Sequence, residues 1–199
     1  MVLTNWNEVK DRLFFDLLNV EDNKELLENV PHGIIGKDIA VVYKVLLGRD
    51  DKEMASVTVN LDLVRAWDVS PLELHSAANR SAPRLNRPVM TPMQNMVEEL
   101  GGEDDLGLYV LTNDRGYRGA SVIVYPGLLA ALTALWGSGF WIIPSSIHEV
   151  MLLKADKEDG LAIANIVRTI NKSGAVEPGE VLSDHPLYFN ADTRELEAV

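Results

Sequence analysis

The chain has 199 residues, 47% apolar and 24% charged, the balance of a folded soluble protein and not of a disordered, collagen-like or low-complexity one. It contains no cysteine, which excludes disulfides, thiolate metal sites and a cysteine nucleophile. Eighteen Lys and Arg face 30 Asp and Glu, a formal net charge of -12, so binding to nucleic acid or to an anionic membrane is a poor expectation and a cytoplasmic, acidic protein a good one.

From the N-terminus, Glu8, Lys10, Asp11 and Arg12 leave no uncharged core for a secretory signal. Asn5 followed by Glu8 reads as a capping box, with Trp6, Val9, Leu13 and Leu17 on one helical face. Asp22 with Glu25 predicts a second cap, opening a short helix that stops near Pro31. The run from Asp38 to Leu47 predicts a buried strand. Met54 to Asn60 predicts its antiparallel partner, across the charged turn Arg49-Asp50-Asp51-Lys52. Ser70-Pro71-Leu72-Glu73 sets Ser at the N-cap, Pro at N1 and Glu at N3, with Val69 and Leu74 as a hydrophobic staple. Thr91-Pro92-Met93-Gln94 repeats that grammar, with Met93, Met96, Val97 and Leu100 as the apolar stripe and Gly101-Gly102 as the stop.

In the second half Leu106 to Thr112 predicts a strand, Asn113 to Gly116 a turn and Ala120 to Tyr125 the returning strand. No charge occurs from Gly119 to Ile147, a length that could span a bilayer. Pro126-Gly127 and Gly137-Ser138-Gly139 divide it, however, and the part between is an amphipathic helix, Pro126 to Trp136. Phe140 to Ile143 and Ile147 to Leu153 predict further strands. Asp156 or Asp159 caps a helix with Ile163, Ile166, Val167 and Ile170 on one face, ended by Gly174. Leu187 to Asn190 and Glu195 to Val199 close a small hairpin. The expected class is α+β, a mostly antiparallel sheet with helices on at least one face. Residues 1–100 read as a helical region with a two-stranded hairpin and 101–199 as an α/β sheet region. The acidic segment Gly101 to Asp105 is the one boundary, within one compact unit.

Several segments carry a resemblance. They are Val30-Pro31-His32, Asp38 to Tyr43, Leu108 to Asn113, Gly119-Ala120-Ser121 with Tyr125-Pro126, Pro144-Ser145-Ser146-Ile147-His148-Glu149-Val150, and Val181 to His185. Together, from about Asn19 onward, they resemble a bacterial domain-of-unknown-function family numbered 5688. Pro-Ser-Ser-Ile-His-Glu is the most specific part. The resemblance implies kinship and a bacterial, intracellular setting, and no activity, substrate or cofactor. Family members look longer at the N-terminus, which makes this chain a short version or a fragment.

Chemistry-bearing residues concentrate in Pro144 to Glu149. On a strand, Ser146 and His148 share a face and Ser145 and Glu149 the other. The functional reading makes Ser146, His148 and Glu149 a polar site with His148 as acid, base or ligand. The structural reading has His148 satisfied by Ser146 or a backbone carbonyl, and Glu149 facing water. Ser-x-His on one strand is too widely spaced for a catalytic dyad, and no G-x-S-x-G elbow occurs. Asp184 and His185, in a turn before Pro186, and Asn113, in the hairpin turn, are binding candidates with Ser145; each is also a residue type that organises turns.

The four histidines show no metal-ligand spacing, so no metal and no cofactor is expected. Gly33-Ile34-Ile35-Gly36-Lys37-Asp38 lacks the phosphate-loop pattern. Arg80, Arg84 and Arg87 stand in a stretch without acids between Glu73 and Glu98, either as an anion contact or paired with carboxylates elsewhere. Three functions remain open: a non-catalytic binding or regulatory domain for a protein or small ligand; a small hydrolase built on Ser146, His148 and Glu149 with help from Asp184 or His185; and, opposed by the net charge, a nucleic-acid-associated protein of mobile elements using the arginine segment. Convergence of His148 and His185 in one cleft would favour the enzyme.

Overall fold

The strands fall into two antiparallel sheets in the computed structural model, which describes residues 3–50, 54–93 and 107–198. The first sheet contains β1 (Leu13–Asn19), β2 (His32–Ile35), β3 (Ile39–Arg49) and β4 (Met54–Thr58). The long β3 pairs with β1 along one edge, while β2 and β4 share the other edge end to end.

The N-terminal helix is one turn long: α1 (Trp6–Val9). Asn5 Oδ1 accepts from Asn7 N at 3.1 Å, and Asn5 Nδ2 donates to Glu8 at 2.9 Å. The helical face expected to run on through Leu13 and Leu17 does not form. Leu13, Phe15 and Leu17 instead form one face of β1, opposite Val45, Tyr43 and Val41, and they are buried. The short helix before Pro31 is α2 (Lys24–Leu27), preceded by a 3-10 turn at Glu21–Asn23. Its chain entry is held by Asn19 and not by Asp22: Asn19 Oδ1 accepts from Glu21 N at 2.9 Å and Asp22 N at 3.3 Å.

An unanticipated helix, α3 (Leu61–Trp67), is capped by Asn60, whose Oδ1 accepts from Leu63 N at 2.8 Å. Next comes α4 (Pro71–Leu85), with the complete Ser70/Glu73 capping box. It buries Leu74, Ala77, Ala78 and Ala82 against the core. The buried Ser81 hydroxyl donates to Leu13 O at 2.5 Å, fixing α4 on β1.

The second sheet has the order β10-β9-β7-β8-β6-β5, with β5 (Pro88–Pro92), β6 (Leu108–Asn113), β7 (Phe140–Ile143), β8 (Val150–Leu153), β9 (Leu187–Phe189) and β10 (Leu196–Ala198). Thr91 and Pro92 are therefore strand residues, paired with Val110 and Tyr109, and Thr91 caps no helix. An edge strand tolerates proline because one row of N–H groups has no partner to lose. The rest of the expected helix, to Leu100, and the Gly101 to Asp105 boundary lie outside the described residues.

Ala120 to Tyr125 is not a returning strand either; Gly119–Val124 is a 3-10 helix. Gly119 N and Ala120 N donate to His148 O and Ile147 O at 2.8 and 3.2 Å, and these tertiary bonds override the β-branched composition. The helix α5 (Leu128–Trp136) follows, and α6 (Gly160–Lys172) comes after β8. On α6 the buried face is Ile163, Ala164 and Val167, whereas Ile166 is 46% exposed. This face packs with Trp141 and Ile143. The opposite face of β7, Phe140 and Ile142, joins a core cluster shared with Leu13, Phe15, Val41 and Leu74 of the first half. The class is α+β with antiparallel sheets. Among the described residues, no helix is long and apolar enough to cross a membrane.

Candidate functional site

Pro144 to Glu149 connects β7 to β8 without strand geometry beyond one bridge, Ser146 to Val181. Pro144 lacks an N–H, and the Ser146 hydroxyl accepts from His148 N at 3.0 Å, a local bond that turns the chain. Ser146 and His148 thus do not line up on a strand face. The segment runs antiparallel to residues 180–183: Ile147 N donates to Glu180 O, Leu182 N to Ser145 O and Ser183 N to Pro144 O, at 2.9, 3.3 and 2.9 Å.

This pairing delivers Glu180, and not Glu149, to the His148 ring. Arg118 N–H donates to His148 Nδ1 at 3.1 Å. That donor needs the Nδ1 lone pair, so the neutral ring carries its proton on Nε2, which stands 3.1 Å from Glu180 Oε1. The Tyr117 ring covers the imidazole at 5.2 Å between centroids. His148 O is engaged as well, accepting from Thr112 Oγ1 and Gly119 N, both at 2.8 Å. Glu149 is half-buried and makes no ion pair or side-chain hydrogen bond with a described residue.

Arg118 links this group to the first sheet. It adopts left-handed backbone at φ 49, and its Nε donates to Asp16 Oδ2 at 2.7 Å. Lys44 Nζ approaches the same oxygen at 3.5 Å. The Asp16 side chain is 1% exposed, against 19% for Arg118 and 17% for Lys44. Asp16 Oδ1 has no partner among the described residues. One buried carboxylate therefore faces two cations. Sequence reasoning passed over Asp16, yet the signal was there: it is the one charge in Leu-Phe-Phe-Asp-Leu-Leu-Asn.

His185 lies in a second cluster. Its Nδ1 is 3.1 Å from Asp38 Oδ2, and the Ser183 hydroxyl donates to Asp38 Oδ1 at 2.6 Å. Serine and histidine both give their hydrogen bonds to the aspartate. A catalytic relay needs the ring to accept from the serine instead. The two histidines are brought onto paired segments but bound to different carboxylates. Asp184 accepts from Asn171 Nδ2 at 2.7 Å. Asn113 is buried, donating to Tyr117 O and accepting from Arg115 N, both at 2.9 Å, so its amide organises the turn. Ser145 is buried.

The remaining histidines are also engaged. His32 Nδ1 lies 3.0 Å from Val30 O, and His75 Nδ1 lies 3.1 Å from the hydroxyl of Tyr43, whose burial pushes its phenol up from the ordinary range. Arg84 and Arg87 face Asp11 and Asp114 at 3.8 and 3.1 Å. Among the described residues no three of His, Asp and Glu are grouped to hold a metal ion.

No curated protein and no solved structure matches the chain. A family model does, and it extends the likeness seen from about Asn19 back to the first residue: over residues 1–191, the chain belongs to the family of unknown function DUF5688.

Proposed function

We propose that this chain is a non-catalytic binding domain for a small ligand or a protein partner, in a bacterial cytoplasm. The observation that carries this reading is the commitment of His148. Both ring nitrogens are taken, one by the Arg118 N–H and one by Glu180, and the Ser146 hydroxyl accepts from the His148 main chain and is not bonded to its ring. A hydrolase built on these residues would need a free imidazole lone pair within reach of a serine proton. The His148–Glu180 pair supports a structural role, pinning the β7–β8 connection to residues 180–183. The net charge of -12 and the absence of cysteine support an acidic intracellular protein that avoids nucleic acid.

The test uses wild type and His148→Ala. The change removes packing against Tyr117 and leaves Arg118 N–H and Glu180 without their partner, so stability falls by about 1–3 kcal/mol. Ester, amide and phosphoester substrates are turned over by neither protein. Wild-type turnover that His148→Ala abolishes, with an unchanged melting temperature, would overturn the reading in favour of the hydrolase.

A further inference from the structure

A cleft of about 250 Å³ opens where α5 begins, away from the His148 group. Its walls come from three parts of the chain. Ile123 belongs to the 3-10 helix, Leu129 and Ala130 to the first turn of α5, and Phe189 and Leu196 to the β9–β10 hairpin. The lining side chains are mostly apolar, with one charge, Arg194 from the hairpin turn, while polar atoms make up about half of the exposed lining. Asn190 builds that turn. Its Oδ1 accepts from Asp192 N at 2.9 Å and Thr193 N at 3.3 Å, and its carbonyl accepts from Arg194 N at 2.9 Å. The Arg194 guanidinium makes no ion pair or side-chain hydrogen bond with a described residue.

The start of α5 adds donors on the same wall. The Gly127 N-cap has no side chain to offer, and the first turn carries no acid. Backbone acceptors serve Leu128 N, from Tyr125 O, and Ala131 N, from Gly127 O. Leu129 and Ala130 line the cleft, and their N–H groups have no acceptor among the described residues.

Apolar side chains, an arginine fork and two helix-start N–H groups, none of them with a partner among the described residues, describe one kind of ligand. Guanidinium matches a carboxylate with two parallel bonds, and helix-start N–H groups favour the same charge. The side chains of Leu129, Phe189 and Leu196 favour an apolar body on that carboxylate. At about 250 Å³ the cleft falls below the range of about 300 Å³ and upward that drug-sized molecules need, so the body is small. The surrounding surface is acidic, with Asp192 and Glu195 on the same turn, which disfavours a multiply charged phosphate relative to a monoanion.

We infer that the cleft between α5 and the β9–β10 hairpin binds a small apolar monocarboxylate, its charge on Arg194 and its body against Leu129, Phe189 and Leu196. This rests on the binding-domain reading and names the ligand class.

The experiment titrates the full chain with benzoate and with hexanoate and follows its backbone amide resonances. Acetate, which lacks the apolar body, and benzyl alcohol, which lacks the charge, serve as controls. The expected result is a saturable shift of the Leu129 and Ala130 amides with benzoate, hexanoate or both. Each control should bind about tenfold more weakly, and so should benzoate to Arg194→Gln. Arg194 is exposed, and unchanged resonances elsewhere in the variant verify its fold. Absence of saturable shifts, or binding that Arg194→Gln leaves intact, would overturn the inference. Saturable shifts confined to the region of Tyr117 and Arg118 would overturn it too while sparing the binding-domain reading. Turnover of benzoate or hexanoate esters dependent on His148 would instead sink that reading.

Discussion

Gly119 shows how little room the centre of the molecule leaves. A Cβ at this position would stand 2.6 Å from Asn113 N and 2.7 Å from His148 O, both main-chain atoms, and closer still to Thr112 Oγ1. The threonine can rotate away, but the main chains of β6 and of the β7–β8 connection cannot. The Gly119 N–H bond to His148 O, at 2.8 Å, holds the close approach in place. Gly119→Ala should therefore destabilise by about 1–3 kcal/mol, the usual cost of overpacking. Chemical denaturation checks it, and a midpoint equal to wild type would mean that the 3-10 helix slides freely on the second sheet. His148 obeys the same logic from the polar side: nearly every group it owns is already bonded, and the sequence marked the residue without marking its partners. Arg118 and Glu180 lie 30 and 32 positions away along the chain. No local pattern links such residues; the strand topology brings them together.

At the scale of elements, α4 was legible because its signals are local. Ser70, Pro71 and Glu73 form the capping box within four residues. Ser70→Ala should cost about 1 kcal/mol. Thr91→Ala should cost none of this capping energy, since Thr91 pairs in β5. A pair of thermal melts distinguishes the two, and a cap-sized loss at Thr91 would contradict the edge strand. Bonds from the Ser70 backbone and hydroxyl hold the Glu73 carboxyl below its ordinary value. A depressed folded-state value means stability present above the unfolded carboxylate range and lost as pH falls through the folded one. The stability advantage of wild type over Glu73→Gln should thus be present at neutral pH and vanish in acid; an advantage that grows on acidification would refute the bond. Other elements were ambiguous for physical reasons. The spacing from Leu13 to Leu17 is four, which fits a helical turn and also an even-numbered strand face. Pairing with β3 decides between them, and that information lies 24 residues or more along the chain. The strand expected from Ala120 to Tyr125, with its β-branched Val122, Ile123 and Val124, and the Thr91-Pro92 start signal were overridden by tertiary bonds in the same way.

The whole molecule is joined across its two sheets by packing and by one charge cluster. The shared core cluster runs from Val9 to Phe189, and at its polar border Arg118 reaches from the second half to Asp16 on β1. Breaking a buried pair costs most when the deeper charge is the one left behind. Asp16 is 1% exposed and would keep only Lys44, at 3.5 Å, if Arg118 were lost. Arg118 and Lys44 are each nearly a fifth exposed, so both can turn toward water if Asp16 is lost. Arg118→Met should accordingly cost about 3 kcal/mol and Asp16→Leu clearly less. Methionine keeps the unbranched stem at the left-handed position and leaves the backbone bond to His148 unchanged. In the double variant Asp16→Leu with Arg118→Met, the stranded carboxylate is gone, and the combined loss should be smaller than the sum of the two single losses. Urea midpoints for the three variants test the order. Equal losses, or a larger one for Asp16→Leu, would show that the sheets are held by packing alone and that the Asp16–Arg118 pair contributes nothing to joining them.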